Sequence, residues 1–407
     1  MSAELKAVLE LVTADRDSVA KNWVSICAAL DAIPQGPTLD AAIASVDAVC
    51  DGTWVPGRRP PQPWMDTILG GGREPRMAVA RYVHADRVDE ETLERLMSAP
   101  ELAHIEWLTL MQAARGFKPK FMRAFSRSEG LRNVRHLALR AVPITHTGLG
   151  HLCRCEHLGA VTTLVVSSAS LKARAGRVLA KTRALPSVQE LTLSMNSLTD
   201  EGVGELCEGQ FDGLTQLGLS ENQLTSAAVR HLAGNDFAAL EDLDVHGNDL
   251  RDGFAESISG APWLTRLGAL NLSSTRLEVG GLSEILGALQ DSSVDTLALD
   301  NNYKLGGKGA GERIAASVAG RRLRRLGLSH CGADDADVMA LAAGDFAALE
   351  ELKLSYGTMT DRGARALLES PLLPRLRLLS VPRTISPELQ EGLESAMTHE
   401  HAYFSAG

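Results

Sequence analysis

The sequence predicts an α/β solenoid, with a parallel sheet on a concave face, helices on the convex face and a small helical cap at the N-terminus. Three observations predict it. A run of the form L-x-x-L-x-L recurs at near-constant spacing over most of the chain. A helix-like stretch follows each copy. Residues 1–54 carry no copy at all.

Taken in order, residues 1–54 read as two or three amphipathic helices, about 3–12, 15–32 and 38–50, and are expected to cap the first repeat. Residues 55–76 hold five prolines and four glycines, the composition of a linker or an irregular packed loop. Trp54 and Trp64 argue that part of it docks on something apolar. Residues 77–407 form the repeat domain, with about eleven repeats. A degenerate copy precedes them: Val88-Asp89-Glu90-Glu91 aligns with Leu198-Thr199-Asp200-Glu201, which puts its strand near 79–84. The last stretch, from Ile385, reads as a final capping helix with a frayed tail.

The repeat is counted from the first Leu of each L-x-L: 108, 137, 164, 191, 217, 243, 270, 297, 326, 352 and 379. These positions advance in near-equal steps. Strand side chains alternate between faces, so L-x-L buries two aliphatic groups on one side of a short strand. Asn196, Asn222, Asn248 and Asn302 follow three residues after the second apolar position. An amide there can satisfy backbone groups of its own turn and of the neighbouring repeat. Cys331 takes the same slot, whereas Thr275, Thr384, Gly357, Val142 and Ala169 interrupt the ladder. Thr199 and Thr225 suit helix N-caps, and apolar residues then recur at helical spacing (Val203 and Leu206, Val229 and Leu232, Ala364 and Leu367).

This pattern resembles the leucine-rich repeat family, whose period falls in the same range as these steps. The full helix in each repeat is similar to the ribonuclease-inhibitor-like subtype, with short helices because the period is slightly short. The resemblance implies a horseshoe arc of roughly 50 Å along a ladder of strands spaced at about 4.8 Å. It also implies a protein-binding surface on the concave sheet.

Composition narrows the function. Aromatic residues are few (Phe 8, Trp 5, Tyr 4), so the core is mainly aliphatic. Forty-one Lys and Arg against 51 Asp and Glu give a net charge of −10, which argues against nucleic acid. Six scattered cysteines do not make a disulfide scaffold. The opening residues lack the apolar run of a secretory signal, and no stretch is long enough to span a membrane, so a cytoplasmic protein is expected. Arg outnumbers Lys 32 to 9, a composition associated with GC-rich bacterial genomes.

Four constellations have a chemical reading beside a plainer one. His151, Cys153, Cys155 and His157 offer zinc-ligand types. However, their i,i+2 spacing splits them between faces, and Cys153, Cys207 and Ala233 share one repeat position, which favours packing. Leu305-Gly-Gly-Lys308-Gly-Ala-Gly311 suggests a phosphate loop, but Gly309 stands where Ser or Thr is required. Ser220, Asp244 and His246 form a triad of the right types on an open sheet without an oxyanion hole. Phe117, Phe121 and Phe125, among Arg115, Lys118, Lys120, Arg123 and Arg127, read as the apolar stripe of the first convex helix or as a basic docking patch.

The concave face is the best site candidate. Glu190, Glu221, Asp242, Asp244, His246 and Asp300 make its middle acidic. Arg325, Lys353 and Tyr356 make the C-terminal end basic and aromatic. Trp107 and Met111 stand at the N-terminal end. Such a face suits a non-catalytic scaffold or regulator that binds a protein partner with a basic centre. No catalytic, metal or cofactor site is expected, and the chain is expected to be a monomer. The alternative carried by the family resemblance is a GTPase-activating or substrate-selecting role beside a separate catalytic partner.

Overall fold

The computed structural model describes residues 3–12, 16–50, 58–114, 117–399 and 402–406. Trp54 and Arg115 lie outside them. The chain divides into two compact units, one of residues 1–171 and 181–190, the other of residues 172–180 and 191–407.

The first unit begins with helices Ala3–Val12, Arg16–Asp31 and Pro37–Cys50. Helix Gln62–Leu69 carries Trp64 into the core, where its Nε1 donates to Asp31 at 2.6 Å. Buried Arg58 donates to the Val79 carbonyl (2.7 Å) and, with Arg81, meets Asp47 of the third helix. Four parallel strands follow: β1 (Tyr82–Val88), β2 (Trp107–Ala113), β3 (His136–Arg140) and β4 (Thr163–Ser167).

Strand β1 starts three residues later than the sequence alignment places it. The buried pair is Val83 and Ala85, and the stretch from Val83 to Val88 is shorter than the matching stretch from Leu191 to Leu198. The shortened turn shifts the strand, and Asp89 caps helix Glu90–Ser98 by accepting from Thr92. The Phe117–Phe125 segment also differs from expectation. Pro119–Arg127 is a 3₁₀ helix, whose three-residue turn buries Met122 and Phe125 and leaves Phe117 and Phe121 half-buried in an edge-to-face pair.

β5 (Glu190–Thr192) crosses the unit boundary. The second unit then carries β6 (Gln216–Gly218), β7 (Asp242–Asp244), β8 (Ala269–Asn271), β9 (Thr296–Ala298), β10 (Arg325–Gly327), β11 (Glu351–Lys353), β12 (Leu378–Val381) and β13 (Tyr403–Ala406). From β6 onward each strand pairs in parallel with the next. Strand β13 replaces the expected frayed tail: the free edge of β12 takes it in register, with Leu379 opposite Phe404.

The repeat explains the packing. Both apolar positions of every L-x-L from Leu191 to Val381 are at most 2% exposed. A short helix follows each strand of the second unit up to β11. The fold is a leucine-rich repeat solenoid. Buried Asn222 serves two turns at once: its Oδ1 accepts from the Asn196 and Leu198 amides (3.0 and 3.2 Å), and its Nδ2 donates to the Leu193 and Ser220 carbonyls (2.9 and 3.1 Å). Asn248 and Asn302 repeat the arrangement, and Cys331 donates to the Leu299 carbonyl at 3.0 Å.

The helix starts depart from the simple cap expectation. Thr225 does accept from Ala227, but Thr199 sits in the left-handed region (φ 59°) and caps nothing with its side chain. The neighbouring carboxylate does that work across repeats. Asp200 accepts from the Thr225 amide (2.8 Å) and hydroxyl (2.7 Å) and from the Ala228 amide (3.2 Å). Asp335 does the same for Thr360 and Gly363.

Candidate functional site

Because L-x-L turns inward, the residues before, between and after it face away from the core. On β7 this leaves Asp242 and Asp244 half-buried on either side of buried Leu243. Strand β6 lies alongside, with Gly218 opposite Asp244. The two residues that follow each L-x-L extend the ladder by one bond and then leave the sheet. The second of them adopts positive φ in repeat after repeat: Met195, Glu221, Gly247, Ser274, Asn301, His330 and Tyr356. The Glu221 amide donates to the His246 carbonyl, and that of His330 to the Ser355 carbonyl (both 2.9 Å). Left-handed backbone at a non-glycine residue costs of order 1 kcal/mol. The regular hydrogen bond offsets it and lines these side chains up in a column.

Glu221, Asp244 and His246 form one cluster. Asp244 Oδ1 accepts from the His246 amide (3.0 Å) and faces His246 Nδ1 (2.9 Å), while His246 Nε2 stands 3.9 Å from Glu221 Oε1. Neither Asp244 nor Glu221 is ion-paired with a Lys or Arg among the described residues. The Asp244 hydrogen bond, helped by the charges of Asp244 and Glu221, raises the His246 pKa above the ordinary imidazole value against the opposing pull of partial burial. A raised folded pKa stabilises below the unfolded value and loses that contribution as pH rises through the folded one. The stability carried by His246 is therefore expected in full below the ordinary imidazole range and is lost as pH rises above it. In an NMR titration of the imidazole, Asp244→Asn should lower the His246 midpoint; an unmoved midpoint would contradict the assignment.

The other site residues separate into distinct settings. Glu190 lies in the first unit, where its Oε2 accepts from Thr163 Oγ1 at 3.0 Å. Asp300, half-buried after β9, accepts from the Ser329 amide at 2.7 Å and leans over Gly327. Arg325 is exposed but paired with Glu351 (3.0 Å), which half-compensates the expected basic end; Lys353 is exposed and has no ion pair among the described residues. Tyr356 is 59% exposed and stacks on His330, ring centres 3.9 Å apart, with Tyr303 edge-on beyond it at 6.4 Å. His330 leaves no sequence signal, because left-handed backbone at a non-glycine residue has no simple mark in composition.

The catalytic and ligand readings meet plain geometry. Ser220 is buried and donates to Ser194 Oγ at 2.6 Å, so its hydroxyl is engaged away from His246. Burial pushes the Cys153 thiol up to about 11 and raises Cys155, which disfavours the thiolates a metal needs. No cluster of three or more His, Cys, Asp or Glu poised for a metal occurs among the described residues. In the glycine-rich loop, the Gly307 and Gly311 amides that a phosphate would use donate instead to buried Asp337 (2.9 and 3.0 Å). No helix among the described residues is long and apolar enough to cross a membrane.

Comparison with family models agrees with the repeat reading. The family model described as Leucine Rich repeat matches residues 184–207 and 348–368. No curated protein matches the chain. Among solved structures, the chain is similar to one from the Rad7 and Elc1 complex in yeast: 16% identity, 78% of this chain and 83% of that one, TM-score 0.48. It is also similar to an internalin (inlF) from Listeria monocytogenes: 14% identity, 81% of this chain and 87% of that one, TM-score 0.46.

Proposed function

We propose that this chain of leucine-rich repeats is a protein-interaction scaffold that binds a basic segment of a partner on the open strand face of its second unit. The observation that carries the reading is the Glu221–His246–Asp244 cluster, with carboxylates on adjacent repeats that no Lys or Arg neutralises among the described residues. Asp242 and Asp300 extend the acidic character to either side. Exposed Tyr356 and Tyr303, with His330, supply the amphipathic ring surface that interfaces favour. Each exposed charge pair contributes only about 0.2–1 kcal/mol, so affinity must come from several pairs made together. The strand ladder fixes the side-chain positions in advance, which lowers the ordering cost of binding. A regulatory role, a ribonuclease-inhibitor-like subtype and a bacterial, cytoplasmic setting are part of the same proposal; the composition and the helix in each repeat support it.

An octalysine peptide is the simplest probe. Calorimetric titration should give saturable binding that weakens at least tenfold when Glu221→Lys and Asp244→Lys are combined. Protonated His246 cancels one carboxylate of the cluster, where the charges acting on it are those of Asp244 and Glu221. Binding is therefore expected to tighten as pH rises through the raised His246 midpoint, opposite in sign to the stability change. Equal binding by the double variant would remove the acidic cluster from the function.

A further inference from the structure

We infer that the outward face of β1–β3 is a second binding site, built for an extended acidic peptide carrying one large apolar side chain. It does not rest on the acidic cluster of the second unit, and its chemistry is the reverse.

The residue preceding the buried pair is aromatic on three successive strands: Tyr82, Trp107 and His136. Trp107 and His136 stack with ring centres 4.1 Å apart at 17°, and Tyr82 meets Trp107 at 5.9 Å. Beside this row lies a notch of about 210 Å³ whose floor includes Thr109, Ala138 and Val165. That space admits one bulky side chain and no folded element. Two guanidinium groups border it. Arg59 lies over the Tyr82 ring at 4.4 Å and donates to its hydroxyl (3.3 Å), and Arg140 is exposed on β3. Neither is ion-paired among the described residues, although the chain as a whole is acidic. No carboxylate lines the notch among the described residues; Glu190, whose charge reaches His136, is held by a hydrogen bond from Thr163. His84 and His136 each keep a buried Nδ1 without a hydrogen-bond partner among the described residues. Such a deficit leaves a desolvation cost uncompensated. Stability is given up at this lining and not at the Leu ladder behind it.

Ring orientation selects the ligand. Strands lie about 4.8 Å apart, so Trp107 and His136 on adjacent strands stack through their faces and turn their edges outward. Ring edges are the positive side of the aromatic quadrupole and attract carboxylates. A single-stranded nucleic acid needs open faces for its bases and a longer row of cations. Here the Trp107–His136 faces are spent on each other, and the cations bordering the notch are Arg59 and Arg140.

The test is calorimetric titration of the full chain with a short synthetic peptide holding one phenylalanine between aspartates. Saturable binding is expected. It should weaken at least tenfold with Arg59→Glu combined with Arg140→Glu, and again when glycine replaces the phenylalanine of the peptide. Both arginines are exposed, so an unchanged denaturation midpoint verifies folding, and Asp244→Lys should leave this binding intact. No saturable binding by the wild type, equal binding by the double arginine variant, or binding of a short oligothymidylate instead of the peptide would overturn the proposal.

Discussion

Asn222→Ala is expected to destabilise the second unit by about 3–5 kcal/mol, at the upper end for a single substitution. The Leu193 carbonyl retains the Asn196 side chain as a donor, and the Ser220 carbonyl retains the Met195 amide. The Asn196 and Leu198 amides lose the acceptor that reaches them from the next repeat. A buried, unsatisfied amide costs far more than a hydrogen bond nets, because the desolvation penalty is then uncompensated. Chemical denaturation measures the total, and faster hydrogen exchange at the amides of residues 196 and 198 locates it. Cysteine is no remedy at this slot: Cys331 manages the donor half through its thiol, but a thiol cannot hold two amides at once. A loss below about 1 kcal/mol would mean that water reaches the turn and that the asparagine ladder is not what joins the repeats.

Gly311→Ala is expected to cost about 3 kcal/mol, the high side of overpacking. A Cβ at this position would sit far inside van der Waals contact with the Asp337 carbonyl and Cα of helix Asp335–Ala343 in the following repeat. Both obstacles are backbone, so neither can swing aside. Gly287→Ala, in helix Val279–Ala288, is the control. Nothing lies within 4 Å of its Cβ, and the usual helical preference for alanine should stabilise by about 0.5–1 kcal/mol. The two thermal midpoints should therefore move in opposite directions. Movement in the same direction would deny that the helices pack backbone to backbone there.

The repeat register is legible in the sequence because burial repeats with it: Leu108, Leu217 and Leu352 each hold an inward position that a polar residue would betray at once. The asparagine slot is legible for the same reason. The Val88 alignment misplaces the first strand because it assumes a turn of constant length. Thr199 looks like a cap because its backbone conformation has no composition signal, and Asp200, one residue later, serves the next repeat. Of the acidic face, Glu221, Asp244 and His246 can be grouped from spacing alone. The engagement of Arg325 with Glu351 cannot, since it depends on which of two neighbouring side chains leans across. The aromatic row does leave a signal, in the position just before each L-x-L. Tyr82 stays hidden within it as long as the first strand is drawn too early.

Photo-crosslinking from position 271 tests the proposed function most directly. Asn271 lies opposite Asp244 on the neighbouring strand and faces outward. With a photoreactive residue at 271, the chain should capture a partner through a lysine- or arginine-rich segment, and Glu221→Lys with Asp244→Lys should abolish the adduct. The same residue at exposed position 287 should capture nothing specific. An adduct at 271 that survives the double charge reversal, or a specific adduct only at 287, would contradict partner binding on the acidic strand face.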